Sequence, residues 1–242
     1  MPRNRDRVDA ILMASGFSRR FGEANKLLAS FRGKPLARYT LDLVMALREA
    51  GAAEGETGPA CFGAVFFVAA DPAVIALAES RKPRGSGASP VNAEGPGTPV
   101  LRVIRNGAGE RGQRESVRLG VSASGADYYL FFPCDQPFLD GDTVRRLLGA
   151  RRQGRIVQPA FRGRPGNPVL FSAEFREDLL SLGQGEHPRD IKKRHPGALF
   201  TLDLPDERPL IDIDDPETLR RLEREDPSCP MDTSCPMDTL DS

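Results

Sequence analysis

Two glycines, two arginines and a lysine crowd residues 16–26, directly after a run of apolar side chains. The stretch reads ILMASGFSRRFGEANKLL from Ile11 to Leu28, with Gly16, Arg19, Arg20, Gly22 and Lys26 in the loop. Arginine offers a planar fork of donors, lysine a compact charge, and bare backbone N–H groups can cradle oxygen atoms. That combination suits a strongly anionic group such as phosphate. The spacing is neither GxxxxGK[ST] nor GxGxxG, so neither the Walker loop nor the dinucleotide fingerprint applies. A plain basic turn would have the same composition, and the loop alone does not separate the two.

A second cluster lies in FFPCDQPFLDGDTV, Phe131–Val144. Asp135 stands just past an apolar run and is bracketed by Pro133 and Pro137. A stiffly held carboxylate there suits Mg²⁺, which takes one or two carboxylates together with phosphate oxygens. Asp140 or Asp142 can cap the following helix, which leaves Asp135 free for another role. Cys134 has no histidine base beside it and reads as a small buried hydrophobe. In LIDIDDPETLRRL, Leu210–Leu222, Asp212 and Asp214 alternate as on a strand and would share one face. Asp215 caps the helix starting at Pro216, so a second metal ligand is a sensible use for the free pair.

Two more stretches carry polar chemistry. GERGQRESVRLG, Gly109–Gly120, places Arg111, Arg114 and Arg118 around a helix start near Ser116 and Val117. The macrodipole disfavours cations there, so either an anionic ligand or an exposed helical face must accommodate them. FRGRPGNPVLFS, Phe161–Ser172, puts two arginines, two glycines and two prolines before an apolar run. His187 and His195 lack metal-ligand partners and read as surface residues.

The elements that must position these groups alternate. Val8–Ala14, Gly63–Ala69, Leu101–Ile104 and Tyr128–Pro133 are short apolar runs of strand character. Pro35–Ala50, Asp142–Arg152, Glu174–Leu182 and Pro216–Glu225 have helical spacing. Strands alternating with helices imply an α/β fold with a mainly parallel sheet, and ligands gather at its carboxyl edge. Ala52–Pro59 and Pro83–Pro99 offer no core residues and read as mobile loops. The last residues repeat SCPMDT in tandem and read as a disordered tail.

Composition narrows the partners. Lysine plus arginine and aspartate plus glutamate both number 34 in 242 residues, so no global field favours nucleic acid or a membrane surface. No apolar run approaches the roughly 20 residues that span a bilayer, and no signal segment opens the chain. Four cysteines make no disulfide framework, so a reduced cytoplasmic protein is expected.

Taken in order, these motifs resemble the molybdenum-cofactor nucleotidyltransferase family. Its pattern is a LAAGxSxRMGxxK loop, a GxxxSLRxG helix start, a DQP or DTP motif, a GHPVLF strand and an IDIDTPEDL ending. Here they stand at Leu12–Lys26, Gly112–Gly120, Asp135–Pro137, Gly166–Phe171 and Ile211–Leu219. The resemblance implies a single glycosyltransferase-A-like (Rossmann-like) α/β domain over residues 8–224, its mainly parallel mixed sheet flanked by helices, with residues 225–242 a tail. It further implies that Leu12, Ala14, Ser15, Gly16, Arg19 and Lys26 wrap a triphosphate, and that Asn106 and Ser116 contact the nucleoside. Mg²⁺ would sit on Asp135, with Asp214 as second ligand.

The donor expected from DQP and the GHPVLF-like strand is CTP. The expected acceptor is molybdopterin or molybdenum cofactor, with a molybdenum hydroxylase apoenzyme or its chaperone open as a receiving partner. Three positions depart from the pattern: Ser15 for a small residue, Phe21 for methionine and Asn167 for histidine. The last of these bears on the acceptor more than on the nucleotide. A sister enzyme using GTP or a sugar or polyol phosphate, and a non-catalytic cofactor carrier, are the alternatives.

Overall fold

The computed structural model describes residues 6–15, 19–22, 25–53, 62–81, 101–108 and 113–225. Gly16, Arg111, Gly112, Cys61, Cys229, Cys235, the Pro83–Pro99 stretch, the greater part of Ala52–Pro59 and the SCPMDT repeat lie outside them.

Ten strands form. They are β1 (Val8–Ala14), β2 (Ser30–Phe31), β3 (Lys34–Pro35), β4 (Phe62–Ala69), β5 (Leu101–Arg105), β6 (Tyr128–Pro133), β7 (Ile156–Phe161), β8 (Arg164–Pro165), β9 (Val169–Ser172) and β10 (Leu199–Asp203). Seven helices accompany them: α1 (Leu36–Ala53), α2 (Pro72–Glu79), α3 (Gln113–Ala123), α4 (Gly141–Gly149), α5 (Arg176–Leu180), α6 (Pro188–Arg194) and α7 (Pro216–Glu225). The main sheet runs β10-β7-β9-β6-β1-β4-β5, with β8 appended to β7. β1 pairs in parallel with β4 and β6, β4 with β5, and β7 with β10. Only β9, wedged between β6 and β7, and the short β8 run against the rest. The sheet is therefore mixed and mainly parallel, as the alternation predicts.

Burial on both faces explains why β1, β4 and β6 are continuously apolar. Alternate residues feed two cores. One holds Leu12, Ala14, Phe67 and Phe132 against Leu41 of α1, Val74 of α2 and Leu147 of α4. The other holds Ile11, Phe66 and Phe131 against Val117 of α3, Leu179 of α5 and Ile191 of α6. At Gly120 the helix α3 comes so near the sheet that a Cβ would lie 2.5 Å from Cγ2 of Ile11. A third cluster joins Phe31 and Leu36 to Ile213 and Leu222, with Phe21 packed against it, and so ties α7 to the front of the molecule.

The same four-residue pattern makes two tight hairpins. Phe31-Arg32-Gly33-Lys34 joins β2 to β3, and Phe161-Arg162-Gly163-Arg164 joins β7 to β8. In each, the arginine and the glycine both have positive φ, 51° and 74° in the first and 49° and 78° in the second. Two-residue turns of this hand match the twist of the flanking strands.

Several element boundaries differ from expectation. Pro35 belongs to β3, pairing with Ser30, and α1 starts one residue later. The helix expected over Asp142–Arg152 ends at Gly149, where Ala150 closes it with hydrogen bonds to three carbonyls. The Glu174–Leu182 segment divides into a 3-10 turn, begun by the Ser172 hydroxyl accepting from Glu174 N–H, and the short α5. Asp212 and Asp214 lie on extended chain outside any sheet, because Ile213 spends its N–H on the carbonyl of Asp135 instead of a strand partner.

Candidate functional site

The site forms where β1 and β6 end side by side, Met13 pairing with Pro133. Lys26 opens the 3-10 turn Lys26–Leu28. Asn25 fixes that turn: its Oδ1 accepts from the N–H of Leu27 at 3.0 Å, and its Nδ2 donates to Asp71 Oδ2 at 3.1 Å. Asp71 in turn caps α2 through the N–H of Ala73 at 2.8 Å, so the lysine is anchored to a neighbouring helix. The hydrogen bond from Asn25, with further ones from α2, holds the Asp71 carboxyl below the usual carboxylate range.

On the other side, Thr40 of α1 donates its hydroxyl to the carbonyl of Pro133 at 3.2 Å and so ties α1 to the end of β6. Asp135 follows two residues later. Its backbone carbonyl accepts from Ile213 N–H at 3.0 Å, which docks the Ile211–Asp214 segment against it. Asp140 caps α4 through Thr143 N–H at 2.7 Å, leaving Asp135 uncommitted to the helix, as its surplus in the motif implies. Asp215 likewise caps α7 through Thr218 N–H at 2.7 Å.

These anchors bring three distant residues together. Lys26 Nζ donates to Asp135 Oδ2 at 2.6 Å and to Asp214 Oδ1 at 2.8 Å. The lysine and Asp135 side chains are only 12% and 16% exposed, whereas that of Asp214 is 57% exposed. Burial works against the Lys26 ammonium, but Asp135 and Asp214 outweigh it and hold its pKa above the ordinary lysine value. Asp135 Oδ1 is buried without a hydrogen-bond partner. An acceptor oxygen left bare in this way is costly, and a bound cation would satisfy it.

Asp212 completes the cluster. Burial of its carboxyl and the negative charges of Asp135 and Asp214 push its pKa up to about 7, against smaller opposing help from Gln136 and Lys26. Two carboxylates therefore grip one ammonium with Asp212 near enough to feel their charge, and the excess is negative. A nucleoside triphosphate would be repelled from such a centre unless a divalent cation came with it. The donor set of Asp135 and Asp214 fits Mg²⁺, which keeps several positions for phosphate oxygens and water.

The remaining sequence candidates are placed as follows. Leu12 and Ala14 are buried in β1 with side chains in the first core, so only their backbone could meet a ligand. Ser15 donates its hydroxyl to the carbonyl of Val68 at 3.1 Å, linking the loop to β4. Arg19 begins a 3-10 turn, Arg19–Phe21, but its side chain lies outside the described part. Asn106 and Ser116 meet: Nδ2 of Asn106 donates to Ser116 Oγ at 3.1 Å, while its Oδ1 accepts from Ala108 N–H at 3.0 Å.

The α3 arginines are less anion-hungry than their position suggests. Arg118 is paired with Glu115 at 2.6 Å, and Arg114 donates to the carbonyl of Leu182 at 3.5 Å. Cys134 is buried and its thiol pKa is pushed well up by burial and Asp135, which fits an inert hydrophobe. Both histidines are partly exposed, and each has a neighbour. His195 pairs with Asp178 at 3.2 Å and packs edge-on to Phe175, and His187 lines a cavity beside β9.

Sequence reasoning missed the bracing residues Asn25, Asp71 and Thr40, because each acts through a partner far along the chain. Pro72 right after Asp71 is the local signal that a cap stands there.

The MobA-like NTP transferase domain model matches residues 10–198. Nicotine blue oxidoreductase of Paenarthrobacter nicotinovorans is 25% identical over 224 residues, covering 89% of this chain and 96% of that protein. Molybdenum cofactor guanylyltransferase of Shewanella sp. (strain MR-4) is 26% identical over 228 residues, covering 90% and 96%. A nucleotidyl transferase structure from Methanothermobacter thermautotroptrophicus superposes with a TM-score of 0.67 at 20% identity, over 90% of this chain and 97% of that one. That likeness shows the shared α/β fold. With the domain model covering most of its length, the chain belongs to the MobA-like NTP transferase family of nucleotidyltransferases.

Proposed function

We propose that this protein transfers CMP from CTP to the phosphate of molybdopterin or its metallated form, releasing pyrophosphate with Mg²⁺ bound at Asp135 and Asp214. The observation that supports the reading most is the Lys26–Asp135–Asp214 cluster with its orphaned Asp135 oxygen. Binding alone needs no carboxylate held bare beside an ammonium; phosphoryl chemistry does.

The acceptor phosphate is an anion and needs no strong base. One of its oxygens attacks the α-phosphorus, the new P–O bond forms as the bond to the β-phosphate oxygen breaks, and pyrophosphate takes the electron pair. Bound Mg²⁺ supplies charge neutralisation of the phosphate oxygens. Lys26, anchored through its turn and Asn25, offers a fixed positive charge for the leaving group. Arg19 and the N–H groups of the loop after β1 are assigned to the triphosphate, and Asn106 with Ser116 to the nucleoside. CTP as donor rests on Asp135-Gln136-Pro137 and on Gly166–Phe171.

The curated guanylyltransferase relatives support GTP as the rival donor. The relative named as an oxidoreductase supplies a different chemistry to be tested. Pyrophosphate release is to be measured with each of the four nucleoside triphosphates, with and without molybdopterin and Mg²⁺. Release that needs all three components is the expected result. No release with any triphosphate would overturn the reading.

A further inference from the structure

A cavity of about 490 Å³ opens on the α6 side of the sheet. Its apolar floor is Met13, Phe131 and Phe171, all packed into the second core. The cavity lies at the carboxyl end of β1, where Met13 pairs with Pro133, two residues before Asp135. The opposite wall is α6, which presents Arg189 and Lys192.

Lys192 is the unusual member. Its Nζ donates to Oε1 of Gln158 on β7, a side chain only 4% exposed. Among the described residues it pairs with no carboxylate. Burial lowers its pKa, and no acid opposes the effect. The nearby acids are committed elsewhere: Asp190 takes Lys193 and the N–H of His187, while Glu186 takes the N–H of Gly183 and Arg194. A part-buried cation is ordinarily matched by an anion, and a neutral amide is a poor substitute. The charge missing from the protein is one a ligand can bring.

We propose that this cavity takes the body of the acceptor and that Lys192 selects acceptors with a second anionic group, remote from the reacting phosphate. The inference rests on the transferase reading above and adds the acceptor class: an organic phosphate with an apolar or ring body and a thiolate, carboxylate or oxyanion on its far side. Gln158 holds the ammonium in place without neutralising it, so that the charge stays available.

Equilibrium binding of molybdopterin, followed by its pterin fluorescence, and turnover with a nucleoside triphosphate are measured separately on wild type, Lys192→Gln, Lys192→Arg and Gln158→Glu. Lys192→Gln should weaken molybdopterin binding about tenfold or more, and Lys192→Arg should stay within a few-fold of wild type. Gln158→Glu places a carboxylate beside the ammonium and should weaken binding like Lys192→Gln while the melting temperature is kept. Affinity for the triphosphate should be unchanged in all three. Wild-type affinity for molybdopterin in both Lys192→Gln and Gln158→Glu overturns the proposal and leaves the transferase reading standing. Binding without turnover in wild type overturns the transferase reading, and the variants still decide the role of Lys192. No binding by wild type overturns both.

Discussion

At the residue scale the proposed chemistry turns on one buried oxygen and one part-buried ammonium. Asp135→Asn keeps the shape and the hydrogen bond to Lys26 but removes the charge that would hold the metal. Turnover should fall on the order of a thousandfold, about 4 kcal/mol of lost transition-state stabilisation, with the melting temperature nearly intact. A variant retaining more than a tenth of the wild-type rate at saturating Mg²⁺ removes Asp135 from the metal. Lys26→Ala should slow the chemical step on the order of a hundredfold, since its charge is needed most as pyrophosphate departs. Single-turnover kinetics separate that loss from weaker triphosphate binding. Asp212 adds a pH signature. Its folded pKa of about 7 lies above the ordinary carboxylate value, so it contributes stability at low pH that is lost as pH rises through 7. The ligand-free protein should therefore lose stability as pH rises from about 4 to about 7, by at most about 1 kcal/mol, because solvent reaches part of the residue and screens the carboxyl even though much of that group is desolvated. Asp212→Asn should flatten that slope, and thermal melts across this range check it; an unchanged slope removes the raised pKa.

At the element scale, what was legible in the sequence is what short-range pattern can carry. The apolar runs that become β1, β4 and β6 need burial on both faces, and their composition says so without reference to any partner. The caps at Asp140 and Asp215 are equally local, each acting three residues along. The segment around Asp212 and Asp214 was misread as a strand because alternation looks the same whether the neighbour is a strand or one carbonyl, here that of Asp135. The bracing of Lys26 through Asn25 and Asp71 crosses 46 residues and leaves no periodic trace. Gly120 is legible only in three dimensions: it lets α3 approach β1 and so sets the layer on which α5 and α6 are built. Gly120→Ala should destabilise the fold by about 1–3 kcal/mol through overpacking against Ile11, despite alanine's better helix propensity. Ile11→Ala in the same chain should relieve the clash, giving a double-mutant coupling energy measurable by urea denaturation. Additive effects would mean that the helix shifts freely and the close approach has no energetic weight.

At the scale of the whole molecule, charge is balanced, 34 basic against 34 acidic residues, so an anionic ligand must be held by local groups. The pieces of the site come from both ends of the chain: 109 residues separate Lys26 from Asp135 and 188 separate it from Asp214. The pairing of β1 with β6 and the docking of Ile213 on Asp135 help to bring them together. The motif order anticipated this meeting; no spacing rule could have. Choice of base is the property with the least local support, since in the proposed reading the nucleoside meets only the Asn106–Ser116 pair, whose hydrogen bond is the same for any base. A pyrimidine needs a smaller pocket than a purine, and a base edge read by buried hydrogen bonds rejects the wrong base strongly, because unpaired polar groups are left behind. The Asp135-Gln136-Pro137 motif and the Gly166–Phe171 strand side with cytidine, the curated guanylyltransferase relatives with guanosine. CTP should show the higher kcat/KM, by on the order of a hundredfold or more if the base edge is read in this way. Steady-state kinetics with CTP and GTP side by side, at fixed molybdopterin and Mg²⁺, make the comparison. A higher kcat/KM for GTP would reassign the donor while leaving the carboxylate–lysine centre and its chemistry as described.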